Sequence, residues 1–271
     1  YKIMKKKRLI PVLLLKNGML VQSRNFSRHQ NIGNPITAVE RLSEWSSDEL
    51  IYLDISRDEK YDLKREDQGY KNIKNFLGII DYISKKTFMP ITIGGKIKSL
   101  ADIENRLKLC ADKVCINTEA FRNKKFINDA SKEFGSQCVV VSIDVKKIEK
   151  DHFVFVNYGT ENTNITVEEW MKIMQNEGAG EILLNSIDND GRGMGYDLDL
   201  IDKIDEKLKI PLIICGGVGD YSDFEDGIKS KKIDGVAAAN IFHYRDQSVY
   251  LAKKYLYEAG YQIRKPELFE I

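Results

Sequence analysis

Apolar and polar positions follow two different periods along this chain, and the two take turns. Short runs that are apolar on both faces lie at 8–15, 49–55, 90–95, 113–117, 138–144, 181–187, 212–216 and 235–239. They are rich in Val, Ile and Leu, as parallel strands buried on both sides are. Stretches with helical spacing separate them, near 35–46, 71–86, 99–109, 122–134, 166–177, 197–208, 222–230 and 246–258. Several helix starts are marked. Asn34-Pro35 sets a capping side chain before a first-turn proline. Ser99…Asp102, Thr166…Glu169 and Ser222…Glu225 have the spacing of capping boxes.

Eight strand–helix units in this length predict an α/β fold, a (β/α)8 TIM barrel. An open doubly wound sheet is the rival, but no GxGxxG follows the first strand. The two halves resemble each other. Ile93-Gly94-Gly95 is echoed by Cys215-Gly216-Gly217, and Val114–Thr118 by Val236–Asn240, at an offset of about 122 positions. One barrel is expected over 8–262, with a disordered segment at 1–7 and a tail at 263–271. Long loops are expected at 16–33 and 56–69, after the first and second strands. The alternating HFVFVNY within 146–164 predicts a hairpin after the fifth strand.

Composition narrows the function. Lys plus Arg is 42 and Asp plus Glu is 41, so the net charge of +1 gives no pull toward nucleic acid or an anionic membrane. No apolar run approaches the ~20 residues of a membrane span, and no secretory leader pattern opens the sequence. Four cysteines, at 110, 115, 138 and 215, form no CxxC, and there are three histidines. A structural zinc site and a disulfide framework are therefore not expected. The expectation is a cytoplasmic protein with no metal and no cofactor.

The candidate chemistry lies at strand ends. Gly216-Gly217 after the seventh strand, with Ala239-Asn240 after the eighth, has the form of a barrel phosphate site. The bland alternative is that the glycines relieve crowding at a turn. Gly94-Gly95-Lys96 and Asn117-Thr118 repeat the design in the first half, where Lys96 either strengthens the anion site or fills it. Two such sites suit an elongated phosphorylated small molecule. Asp144 ends the fifth strand and is a candidate general acid or base. Asp54 ends the second strand and reads as an ordering residue. Asp190-Gly191 is either a ligand contact or a tight turn. At the opposite strand ends, Arg8, Glu49, Lys113 and Glu181 could close a neutral ring, which in isolation reads as a stabilising plug.

The chain resembles the cyclase subunit of imidazole glycerol phosphate synthase, from about Arg8 to residue 262. The resemblance is carried by Asp48-Glu49-Leu50-Ile51-Tyr52-Leu53-Asp54-Ile55, by Ala111-Asp112-Lys113-Val114-Cys115-Ile116-Asn117-Thr118, by Gly178-Ala179-Gly180-Glu181 and by Ser186-Ile187-Asp188-Asn189-Asp190-Gly191. It implies a barrel that takes ammonia from a glutaminase docked on its N-terminal face. Arg8, Glu49, Lys113 and Glu181 match that family's ammonia gate, and Asp112 matches a residue coupled to the glutaminase. Of the family's two catalytic aspartates, the second matches Asp144 and the first matches Leu14. The lysine of its first loop matches Gln22, and a glycine of its first phosphate site matches Lys96. Relatives with this loss resemble barrel subunits that act with a third, sugar-amidating protein in surface-polysaccharide biosynthesis. The resemblance thus points first to delivery of ammonia to a phosphorylated or nucleotide-linked sugar. The alternatives are the histidine-pathway cyclase itself and a non-catalytic barrel that docks and activates a glutaminase.

Overall fold

The apolar runs become eight parallel strands that close on themselves. The structure, a computed structural model, describes residues 6–58, 61, 73, 75–204 and 208–268. In chain order its strands are β1 (Arg8–Lys16), β2 (Met19–Arg24), β3 (Arg28–Gly33), β4 (Leu50–Asp54), β5 (Ile91–Gly94), β6 (Lys113–Ile116), β7 (Val139–Ile148), β8 (Asp151–Val156), β9 (Glu161–Thr166), β10 (Glu181–Ser186), β11 (Leu212–Cys215) and β12 (Gly235–Ala238). The barrel order is β1-β4-β5-β6-β7-β10-β11-β12, and β12 pairs with β1 to close it. Helices flank the strands: α1 (Pro35–Glu44), α2 (Phe76–Ser84), α3 (Leu100–Leu109), α4 (Thr118–Arg122), α5 (Lys125–Phe134), α6 (Val167–Asn176), α7 (Leu198–Asp202), α8 (Asp223–Lys229) and α9 (Ser248–Glu258). This is the (β/α)8 barrel the sequence predicts.

Three of the marked helix starts form as expected. Asn34 accepts from Ile36 N–H, Ser99 from Asp102 N–H and Thr166 from Glu169 N–H. Ser222 does not cap α8. The Asp223 carboxylate does that work for the turn before it, accepting from the N–H groups of Gly219 and Asp220.

The expected hairpin after the fifth barrel strand is β8–β9. A second hairpin, β2–β3, stands where a loop was expected at 16–33. Lys16 pairs with Met19 across Asn17 and Gly18, both with positive φ (51° and 75°). That is the Asn-Gly turn whose twist matches a hairpin. Parts of 56–69 and of the helix expected at 71–86 lie outside the described residues, as do residues 1–5. Lys7, inside the segment expected to be disordered, is paired: it bridges to Ile263, and its ammonium donates to Ile228 O (2.5 Å) and Ser230 O.

Carboxylates clamp the lower rim in a repeating way. Leu9 N–H donates to Asp48 Oδ2 (2.9 Å), Ile91 N–H to Asp112 Oδ2 (2.8 Å) and Leu212 N–H to Asp234 Oδ2 (3.1 Å). The N–H groups of Asp112 and Asp234 donate back to the carbonyls of Ile91 (2.9 Å) and Leu212 (2.8 Å). Each clamp satisfies a strand-end donor that has no ladder partner. At the fourth such place Gly180 N–H donates to Val139 O (2.9 Å), but a Cβ there would lie 1.9 Å from Ser136 O, so no carboxylate fits. The same clamp at Asp112 and Asp234 gives the half-barrel repeat a physical basis. It also places Ile91 opposite Leu212, so Gly95 (φ 102°) corresponds to Gly216 (φ 100°), and Lys96 (φ 55°) to Gly217 (φ 110°).

Asp112→Ala is expected to lower the unfolding free energy by about 1–2 kcal/mol, read from urea denaturation of the isolated chain. An unchanged midpoint would leave Asp112 no role in the barrel itself.

Candidate active site

The inner face of the barrel is built in layers, because alternate residues of each strand point inward. The lowest layer is the charged ring. Arg8 Nη1 meets Glu49 Oε1 at 2.6 Å and Arg8 Nη2 meets Glu181 Oε1 at 2.5 Å. Lys113 Nζ meets the other oxygens, Glu49 Oε2 at 3.1 Å and Glu181 Oε2 at 2.8 Å. The four side chains thus close a cycle of two cations and two anions, each carboxylate shared between both cations. Burial works against the Arg8 charge, but Glu181 and Glu49 outweigh it and raise its pKa. Glu49, Lys113 and Glu181 each follow a clamp position. The fourth is Gly235, where the missing side chain leaves the Arg8 guanidinium room, 3.7 Å from a would-be Cβ.

Above the ring comes a mainly apolar stretch, with the buried Thr92 hydroxyl of β5 at its lower edge. Ile10, Val12, Ile51, Cys115, Val140, Leu183, Ile213 and Ala237 form one buried cluster inside the barrel. Leu14, Leu53, Cys215 and Ala239 pack on it. Leu14 therefore faces the barrel interior near its upper end. Burial, then the nearby Asp144, pushes the Cys115 thiol up to about 12; burial and Asp190 do the same for Cys215. Both thiols therefore stay protonated at neutral pH.

Asp144 stands above this column. It is 8% exposed. Asn117 Nδ2 donates to its Oδ2 (2.9 Å) and Ser142 Oγ to its Oδ1 (3.4 Å). Burial pushes its pKa up to about 7, against the hydrogen bonds from Asn117, Ser142 and Asn185 that favour its charge. A carboxyl poised there can both give and take a proton near neutral pH. Ser142 and Asn185 did not stand out in the sequence. Their signal is parity, since each sits two residues from an inward position, Asp144 and Leu183.

The remaining sequence candidates fall into two groups. Asp190, Gly191 and Asn240 bind the β2–β3 hairpin. Asp190 Oδ2 accepts from Ser23 Oγ (2.6 Å) and Phe26 N–H (3.1 Å), and Asn240 Nδ2 donates to Ser23 O (2.8 Å). A Cβ on Gly191 would lie 2.1 Å from Ser23 O. Gly216 and Gly217 (both with positive φ) lie against the chain at Ser186 and Gly195, where a Cβ would come within 2.7 and 1.9 Å of carbonyl oxygens. In the first half Gly95 does the same against Asp54 O (2.3 Å). Arg106, buried and unremarked in the sequence, holds the Gly95 carbonyl from behind at 2.7 Å. Lys96 turns onto Asp54 Oδ2 (3.5 Å) and the Asp58 carbonyl. Asp54 accepts from Ser56 N–H (2.9 Å) and Tyr61 OH (3.3 Å), contacts that would order the turn after β4.

A family model described as "Histidine biosynthesis protein" matches residues 8–248. The chain belongs to this histidine-biosynthesis protein family. It is 39% identical over 258 residues, 95% of this chain and 98% of the relative, to imidazole glycerol phosphate synthase subunit HisF of Natranaerobius thermophilus. It is 38% identical over 259 residues, 95% and 98%, to the protein of the same name from Bacillus cereus. Among the described residues of this family member no helix is long and apolar enough to cross a membrane, and no group of His, Cys, Asp and Glu is arranged to hold a metal.

The raised pKa makes Asp144 a liability for stability at neutral pH. The unfolded carboxyl loses its proton near pH 4, while the folded one keeps it to about pH 7. Stability contributed by the protonated form is full below pH 4. It is lost as the pH rises to 7, by ~1.4 kcal/mol for each pH step between those two values. Asp144→Asn is therefore expected to be the more stable protein at pH 8, by up to about 4 kcal/mol, with the difference vanishing near pH 4. Denaturant melts at the two pH values check this.

Proposed function

We propose that this chain is the ammonia-accepting synthase subunit of a glutamine-dependent imidazole glycerol phosphate synthase, paired with a glutaminase on its lower face. The observation that carries this reading is the vertical order inside the barrel: a neutral charged ring, an apolar column, and one carboxyl with a pKa of about 7. The ring offers hydrogen-bond partners to a small polar molecule entering from below. The column favours uncharged ammonia over ammonium, because burying an unpaired cation is far costlier than burying a neutral amine. Asp144 then supplies acid–base chemistry where the nitrogen reaches its acceptor. The names of the relatives support an imidazole-forming reaction. The glycine turns at Gly94-Gly95 and Gly216-Gly217, with Asn117-Thr118 and Ala239-Asn240, suit an acceptor with phosphate groups.

Leu14 favours a second reading. Ring closure needs proton transfer on both sides of the bound chain, and the inward residue at this level of β1 is a hydrocarbon. An acceptor needing one proton handler, such as a phosphorylated or nucleotide-linked sugar amidated with a third protein during polysaccharide synthesis, fits that loss. A barrel that only activates its glutaminase would consume no acceptor at all.

The test is turnover of the chain with ammonium salts, and of its complex with the glutaminase on glutamine. Under the first reading imidazole glycerol phosphate forms, Asp144→Asn lowers the rate about 10²–10⁴-fold, and Leu14→Asp raises it. Absence of imidazole product, with ammonia consumed only when a nucleotide-linked sugar is present, establishes the second.

A further inference from the structure

One more inward side chain stands on β1 above Leu14. Alternation places Arg8, Ile10, Val12, Leu14 and Lys16 on the same face, so the Lys16 ammonium sits at the barrel's mouth. Its Nζ lies 3.3 Å from His29 Nδ1 on β3. Burial lowers the His29 pKa, and the charges of Lys16 and Arg57 lower it further. The imidazole is thus neutral, with Nδ1 accepting from Lys16 and the Nε2–H left as a donor. Arg57, just past β4, brings its guanidinium within 5.7 Å of the Tyr158 ring at the tip of the β8–β9 hairpin.

Lys16 and His29 therefore touch on one side of the mouth, and the Arg57 charge is felt at His29 from a third element. Among the described residues none of them forms an ion pair with a carboxylate. The Asp54 carboxylate on that side is taken up by Ser56, Tyr61 and Lys96. Lys16 and Arg57 are like charges with no salt bridge among the described residues, so an anion held between them and His29 would be favoured. At the first-half glycine turn the side chains are already engaged. Lys96 is held by Asp54, the Thr118 hydroxyl accepts from Asn157 N–H (3.1 Å), and the Asn117 amide donates to Asp144.

We propose that Lys16, His29 and Arg57 form a binding site for a phosphate or diphosphate group of the acceptor, set beside β1 and β4 rather than at the Gly95–Lys96 turn. The site rests on the reading above that the mouth receives a phosphorylated acceptor. Lys16 supplies a point charge, His29 a neutral donor, and Arg57 a planar fork suited to phosphate oxygens. It would hold the acceptor's anionic end on the side of the mouth where Leu14 replaces a proton handler.

The probes are inorganic phosphate and inorganic pyrophosphate, titrated into the full chain while the His29 imidazole resonances are followed by NMR. A saturable shift is expected. Lys16→Met and Arg57→Gln should each weaken it tenfold or more, and Lys96→Gly should leave it within twofold, with unfolding midpoints confirming that each variant folds. Tighter binding of either probe keeps the site and names its head group. The proposal is overturned by an absent or non-saturating shift at His29, by unchanged affinity in Lys16→Met or Arg57→Gln, or by a loss in Lys96→Gly equal to theirs. Binding is read without turnover, so a failed activity assay and a failed titration are told apart.

Discussion

Four charges, two of them buried carboxylates, at one end of a mainly apolar barrel interior are tolerable only as a closed cycle. Each carboxylate of Glu49 and Glu181 touches both Arg8 and Lys113, so no charge is left alone. Removing one member would strand a partner in a site with little water, a loss of about 3–5 kcal/mol. Replacing all four with well-packed apolar side chains would cost far less, and is often favourable. Retention of the ring is therefore poorly explained by stability. Under the proposed function the ring is the polar entry to the mainly apolar interior above it.

The rest of the barrel follows from that constraint. The ring needs four inward positions at one height, and the clamps at Asp48 and Asp112 fix the strand ends that present three of them, Arg8, Glu49 and Lys113. Above it the lining is mainly apolar, and burial there raises the Asp144 pKa to about 7. The lower face is further braced by Lys253, wholly buried, whose ammonium binds Asp48 (2.7 Å) and Ser46 O (2.8 Å). At the mouth, two hairpins lean together: Gly159 of one packs against Phe26 of the other.

Much of this was legible in the sequence, and the exceptions have physical reasons. The barrel strands showed because burial on both faces forces continuous apolar runs. Asp144 showed because a carboxylate ending such a run has few structural excuses. The β2–β3 hairpin did not, because Gln22, Arg24, Arg28 and Gln30 break any apolar alternation; only Asn17-Gly18 signalled it. Lys96 looked like the residue after a Gly-Gly pair. The resemblance set it in a glycine's place, and its backbone there is left-handed (φ 55°), like that of Gly217 in the other half. Arg106 and Lys253 read as surface charges on helices, since nothing local says that a long cationic side chain will bury its head against a carbonyl or a carboxylate.

The repeat has one more implication, for ancestry. The first half contributes Arg8, Glu49 and Lys113 to the ring, a surplus of one positive charge, and the second contributes only Glu181. Two copies of the first half would crowd six side chains with an excess of cations, and two copies of the second would face a pair of bare carboxylates. If the fold arose by duplication, the twin segments had to diverge in charge before a neutral ring could form, and neither can now stand in for the other.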